Sequence, residues 1–164
     1  MTIRTASIFA LLAAASLASA QEPAPATVAA PGHFAGAVRA QSFGGAKDAN
    51  RFSGNVDITH AASGRAGLYK VAMRLSTSGY GGNSSNMLMW SISPGRCGSQ
   101  VQPLLPPSGL PPIEMRSGGA AELEWEGAIM LAENATYQLV IYDRGMNQQD
   151  IVACANLKYD AGKK

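Results

Sequence analysis

The chain has 164 residues, of which 46% are hydrophobic and 15% charged, with two Cys, two His and a formal net charge of +2. This length suits one ordinary domain, and the charge excludes the basic stripe of a nucleic-acid binder. Two histidines exclude a His-rich metal centre, and two cysteines allow one disulfide but no Cys-based zinc site.

Residues 1–20 read as an export signal. Arg4 supplies a positive start, Ser7 to Ala15 a short apolar run, and Ala18-Ser19-Ala20 a small-x-small cleavage site. The run is too short to span a bilayer, which takes about 20 residues. The plainer alternative is a buried N-terminal helix. Fourteen of these twenty residues are hydrophobic, so cleavage leaves a more polar chain, and the loss of Arg4 lowers its net charge to +1. The expected location is secreted or periplasmic, with no membrane span after cleavage.

Residues 21–31 (QEPAPATVAAP) predict a Pro/Ala-rich tether, because closely spaced prolines break helices and no large side chain is present to bury. The domain is expected over 32–160, followed by a disordered tail at 161–164. Within it, Phe34 and Val38 predict a weak edge strand, and Gly44, Gly45 and Asp48 mark a loop. Phe52 to Thr59 predicts a strand with Val56 and Ile58 at period two. A turn follows at Ser63 to Gly67. Leu68 to Ser76 then alternates Tyr69, Val71, Met73 and Leu75 against Lys70 and Arg74, the pattern of a half-buried antiparallel strand.

Ser78 to Asn86 reads as a Gly/Ser/Asn loop, and Met87 to Ile92 as a strand with Leu88, Trp90 and Ile92 on one face. Ser93 to Pro112 is a long proline-rich connection, and Ile113 to Arg116 a short strand. Ala121 to Ile129 sets Glu122, Glu124 and Glu126 against an apolar face, so these carboxylates read as a solvated strand face rather than a calcium site. Tyr137 to Tyr142 and Ile151 to Lys158 are the last strands, the latter alternating Ile151, Ala153, Ala155 and Leu157 with Val152, Cys154, Asn156 and Lys158. Leu131 ahead of Tyr137 has the spacing of a tyrosine corner, in which a strand-opening Tyr hydrogen-bonds the preceding turn. Seven or eight strands with Gly/Pro/Asn turns and no helix predict an all-β Greek-key sandwich or flattened barrel.

In an oxidising compartment Cys97 and Cys154 are expected to form a disulfide; the other reading is two separate free thiols. Neither belongs to a C-x-x-C motif, so thioredoxin-like chemistry has no support. Nothing matches G-x-S-x-G or a phosphate-binding glycine loop.

Three pieces of the chain carry a family resemblance: Phe52 to Val56 (FSGNV), Trp90 to Cys97 (WSISPGRC) and Ile151 to Leu157 (IVACANL). Together they resemble the copper/zinc superoxide dismutase-like β-sandwich superfamily, and are similar also to CHRD-type domains. The resemblance implies a disulfide from Cys97 on a loop to Cys154 on a strand. It also places Trp90 and Ile92 at the positions of two copper ligands, and Ile151 at that of the active-site arginine. None of the three can do that chemistry.

The expectation is therefore a non-catalytic, dismutase-like binding or structural module without dismutase activity, cofactor or metal site. Its partner would be an unidentified protein or envelope component, and no nucleic acid. Leu104, Leu105 and Leu110, with the Trp90 strand, are the candidate partner surface; the competing reading has the leucines cover one end of the sandwich. The alternative function is periplasmic copper binding by Met87, Met89 and His60, since thioethers suit Cu(I). Methionines on strands read more often as core filler, and both histidines, His33 and His60, as solvated.

Overall fold

The structure is a computed structural model, and its described residues are 32–41, 51–78, 87–143 and 150–162. The expected signal (1–20), the tether (21–31), the Gly44 to Asp48 loop, most of the Ser78 to Asn86 loop and the last two residues of the tail lie outside them.

Eight antiparallel strands follow one another: β1 (His33–Ala40), β2 (Arg51–His60), β3 (Leu68–Ser78), β4 (Met87–Pro94), β5 (Ile113–Glu114), β6 (Ala120–Ala128), β7 (Tyr137–Tyr142) and β8 (Ile151–Asp160). A three-residue 3-10 turn lies at Pro107–Gly109, and Asp150, just before β8, is also in 3-10 conformation. Period-two alternation over β2, β3 and β6 gives each strand an apolar and a polar face, and burial of the apolar faces rolls the sheet onto itself.

The strand order is β5-β4-β7-β8-β1-β2-β3-β6. β4 is followed in space by β7, and β8 by β1, so the connections are Greek-key crossovers rather than a meander. The two ends of this order approach without a ladder. Arg116 N–H donates to Ala120 C=O (2.8 Å), and the proline-rich segment fills the rest of the seam. That segment is tied to β4 by Leu104 N–H to Ile92 C=O (2.8 Å) and by Trp90 Nε1–H to Pro111 C=O (2.9 Å). The result is a nearly closed barrel.

Phe34, Val56, Ile58, Val71, Met73, Trp90, Ile92, Leu139, Ile141 and Leu157 form the centre of the core. Trp90 meets Trp125 edge to face at 5.8 Å. At the turn before β7, Tyr137 Oη accepts a hydrogen bond from Ala132 N–H (2.8 Å), the tyrosine corner that the spacing predicted.

Two expectations are corrected. β1 is not an edge strand: it pairs with β2 on one side and β8 on the other. Gly36 lowers strand propensity, but the tertiary pairing on both sides overrides it. Nor does β8 alternate regularly from its start. A bulge opposite Ile141 and Tyr142 turns Ile151 to the outside and packs Val152 toward the core.

Candidate functional site: a covered recess on the outer face

β7 (YQLVIY) is buried along its whole length, on both faces. Its inward residues Tyr137, Leu139 and Ile141 belong to the core. Its outward residues Val140 and Tyr142 form a second apolar cluster with Cys154, flanked by Met89, Cys97 and Ile151. The cover is the loop after β4.

Gly95 and Gly98 give this loop its turns, with φ of +94° and +96°, values that L side chains rarely adopt. Three attachments hold it down. Gly95 N–H donates to Thr136 C=O (2.9 Å), and Cys97 N–H to Asn156 Oδ1 (2.8 Å). Cys97 is disulfide-bonded to Cys154 of β8, 57 positions further on. The two-free-thiol reading is thereby excluded, since neither cysteine is free.

Between this loop and the outward faces of β4, β7 and β8 lies a recess of about 210 Å³. Its walls are Ser93, Gln138, Val140, Tyr142, Ile151 and Cys154 from the strands, Gly98 to Val101 and Pro103 from the loop, and Gln41 from the end of β1. Among the described residues, no charged side chain lines it.

Four polar side chains are buried among the described residues: Thr77, Ser91, Ser93 and Gln138. All but Thr77 face outward beneath or beside the disulfide loop. Ser91 Oγ and Tyr142 Oη share a hydrogen bond (3.2 Å). Gln138 Nε2 donates to Ser99 C=O (3.0 Å), which fixes the orientation of its amide. The Gln138 Oε1 then lies 3.7 Å from Cys154 Sγ. A disulfide sulfur carries no hydrogen, so this is a contact and not a hydrogen bond.

Trp90 and Ile92 belong to the inward phase of β4, 1% and 0% exposed. The outward phase beside the recess carries Met89, Ser91 and Ser93. Neither set offers the imidazoles and carboxylate that copper and zinc take in the family it resembles, and Ile151 brings no charge to the recess wall. The residues present do not fit that metal pair. Among the described residues, no group of three or more His, Cys, Asp or Glu side chains is placed to hold a metal ion.

The Met–His set does not come together. Met87 and Met89 face outward on β4, Met87 44% exposed and Met89 packed on the outer cluster, whereas Met73 and Met115 fill the inner core. His60 ends β2 on that strand's inward phase, stacked on Tyr69 at 4.6 Å, and three strands (β7, β8 and β1) separate β2 from β4.

The leucines divide. Leu105 and Leu110 pack on the core and cover the seam, whereas Leu104 is exposed beside exposed Pro106. Trp90 is buried and presents nothing to a partner. The Glu122–Glu124–Glu126 face is solvated as expected, with Lys70 on Glu124 (2.9 Å) and Arg74 and Arg116 on Glu122 (3.5 and 3.6 Å).

Sequence reasoning missed Ser93 and Gln138. Polar residues alternating with apolar ones read as a solvent face; the one available signal was the apolar Val140 and Tyr142 on the same face as Gln138.

Comparison with protein-family models, curated proteins and solved structures finds no match for this chain. What fold and site define together is an all-β, disulfide-bonded barrel with a recess on its outer face whose described lining is uncharged. No helix among the described residues is long and apolar enough to cross a membrane.

Proposed function

We propose that this protein is an exported, non-catalytic module on a dismutase-like β-barrel, working by binding rather than by metal or redox chemistry. The observation that carries this reading is the outer-face recess, whose lining among the described residues is uncharged. Two of the three pieces that carry the family resemblance reach the recess, through Ser93 of one and Ile151 and Cys154 of the other. An active site for superoxide needs a redox metal and a positive charge to draw in an anion; this recess offers Ser, Gln, Val, Ile and Tyr.

Three features support the reading. The Greek-key barrel is the fold the resemblance implies, and the loop-to-strand disulfide is the bridge it implies. The disulfide and the signal-like residues 1–20 agree with an oxidising compartment. Binding is favoured over a purely structural role because the recess keeps buried polar groups that a passive barrel would replace with apolar ones.

The test is metal analysis and a superoxide dismutation assay on disulfide-bonded protein produced with copper and zinc supplied. The expected result is well under one equivalent of either metal and no dismutation above background. Stoichiometric copper together with dismutation overturns the reading.

A further inference from the structure

We propose that the recess is a binding site for a small, uncharged carboxamide group, the amide entering between Ser93 and Gln138. This rests on the metal-free reading of the outer face and adds the chemical class of the ligand.

Ser93 and Gln138 are cross-strand partners in the β4–β7 register, both outward-facing, 2% and 1% exposed. Side chains of such a pair stand about 5 Å apart at Cβ. Each presents an unused hydrogen-bonding group. Ser93 lines the recess, and among the described residues its Oγ makes no hydrogen bond, which leaves both an O–H to donate and lone pairs to accept. Gln138 spends an N–H on Ser99 C=O, which turns its Oε1 toward the Cys154 sulfur, an atom with no proton to give. A buried amide oxygen without a donor is costly, and native structures leave few of them.

The two groups define what complements them. Gln138 Oε1 asks for a donor, and the Ser93 hydroxyl offers one. A primary or secondary carboxamide carries an N–H and a C=O side by side, and so answers both at once. The surroundings set the rest of the ligand. Val101, Val140 and Ile151 supply apolar wall, and the described lining residues carry no charge for a carboxylate or ammonium to pair with. About 210 Å³ admits a fragment of benzamide size, not a chain of several sugars or residues.

The experiment is a ¹H–¹⁵N NMR titration of the disulfide-bonded protein with benzamide, N,N-dimethylbenzamide and benzoate. Benzamide is expected to saturate shifts at Ser93, Ser99, Gln138 and Ile151 with a Kd on the order of 1 mM, a weak affinity suited to so small a fragment. The dimethyl amide, which lacks the N–H, and benzoate, which is charged and donates nothing, should each bind at least about tenfold more weakly. S93A should weaken benzamide by about threefold. V101W, a substitution at an exposed loop position on the recess wall, should abolish the shifts while the rest of the spectrum stays native. Recess signals that stay still at saturating benzamide, equal affinity for all three compounds, or unaltered binding in V101W overturn the proposal. Failure of this kind in metal-free protein leaves the metal-free reading standing; stoichiometric copper with dismutation removes that reading itself.

Discussion

Replacing both cysteines, as C97A/C154A, removes the covalent hold on the loop that covers the recess. The bridge closes a segment of 57 positions. The chain-entropy relation for such a loop gives about 4 kcal/mol at room temperature, mostly from the unfolded chain regaining freedom. The folded barrel is expected to survive, because Gly95 N–H to Thr136, Cys97 N–H to Asn156 and Gln138 to Ser99 still fasten the loop. A domain of this size loses roughly 3 °C in Tm per kcal/mol, so a fall of roughly 10–15 °C is expected. Urea unfolding followed by tryptophan fluorescence should show a lower midpoint and a steeper slope, the unbridged chain exposing more surface when unfolded. Buried Trp90 and half-buried Trp125 report on the core directly. A double variant within about 1 kcal/mol of the parent protein refutes the reasoning, since the chain-entropy contribution would then be absent.

Gly54→Ala should cost about 2 kcal/mol or more, because the new Cβ would collide with the Arg74 carbonyl oxygen across the β2–β3 ladder. Gly109→Ala, whose Cβ meets nothing within 4 Å, should stay within about 0.5 kcal/mol; equal denaturation midpoints for the two variants would contradict the packing argument. Alkaline pH should loosen the barrel end near Tyr69. Burial, then Glu133 and then Tyr137, raise the Tyr69 pKa above the ordinary tyrosine value. A folded-state pKa raised above the unfolded one means that stability is retained below about pH 10 and falls as pH climbs past the unfolded value. Unfolding free energies at pH 9 and 11 should therefore drop less in Y69F than in the parent, and parallel drops would count against the burial effect.

Much of the barrel was legible in the sequence because strand alternation is a local signal. Tyr69, Val71, Met73 and Leu75 declare their face whatever the neighbouring strand is. The Glu stripe of β6 and the tyrosine corner are equally local, each set by residue spacing over a handful of positions. β1 reads as an edge from sequence because Gly36 and scattered alanines weaken its pattern, and nothing local says that β8 returns to pair with it. The Met87–Met89 pair is ambiguous from sequence because alternation assigns residues to two faces without saying which face turns inward. The neighbours Leu88, Trp90 and Ile92 take the core, and the methionines face out.

The sequence by itself determined the all-β class, most strand limits, the scarcity of metal ligands and the single pair of cysteines, because composition and period-two patterning act within a strand. Tertiary structure alone decided which outward residues are dry. Ser91, Ser93 and Gln138 alternate with core residues just as solvent-facing ones do. Ser93 and Gln138 lie beneath the loop that follows β4, which is bonded to distant β8 through Cys97 and Cys154, and Ser91 meets Tyr142 of β7. Burial on that face is a long-range property, and no window of the sequence contains both the polar groups and everything that covers them.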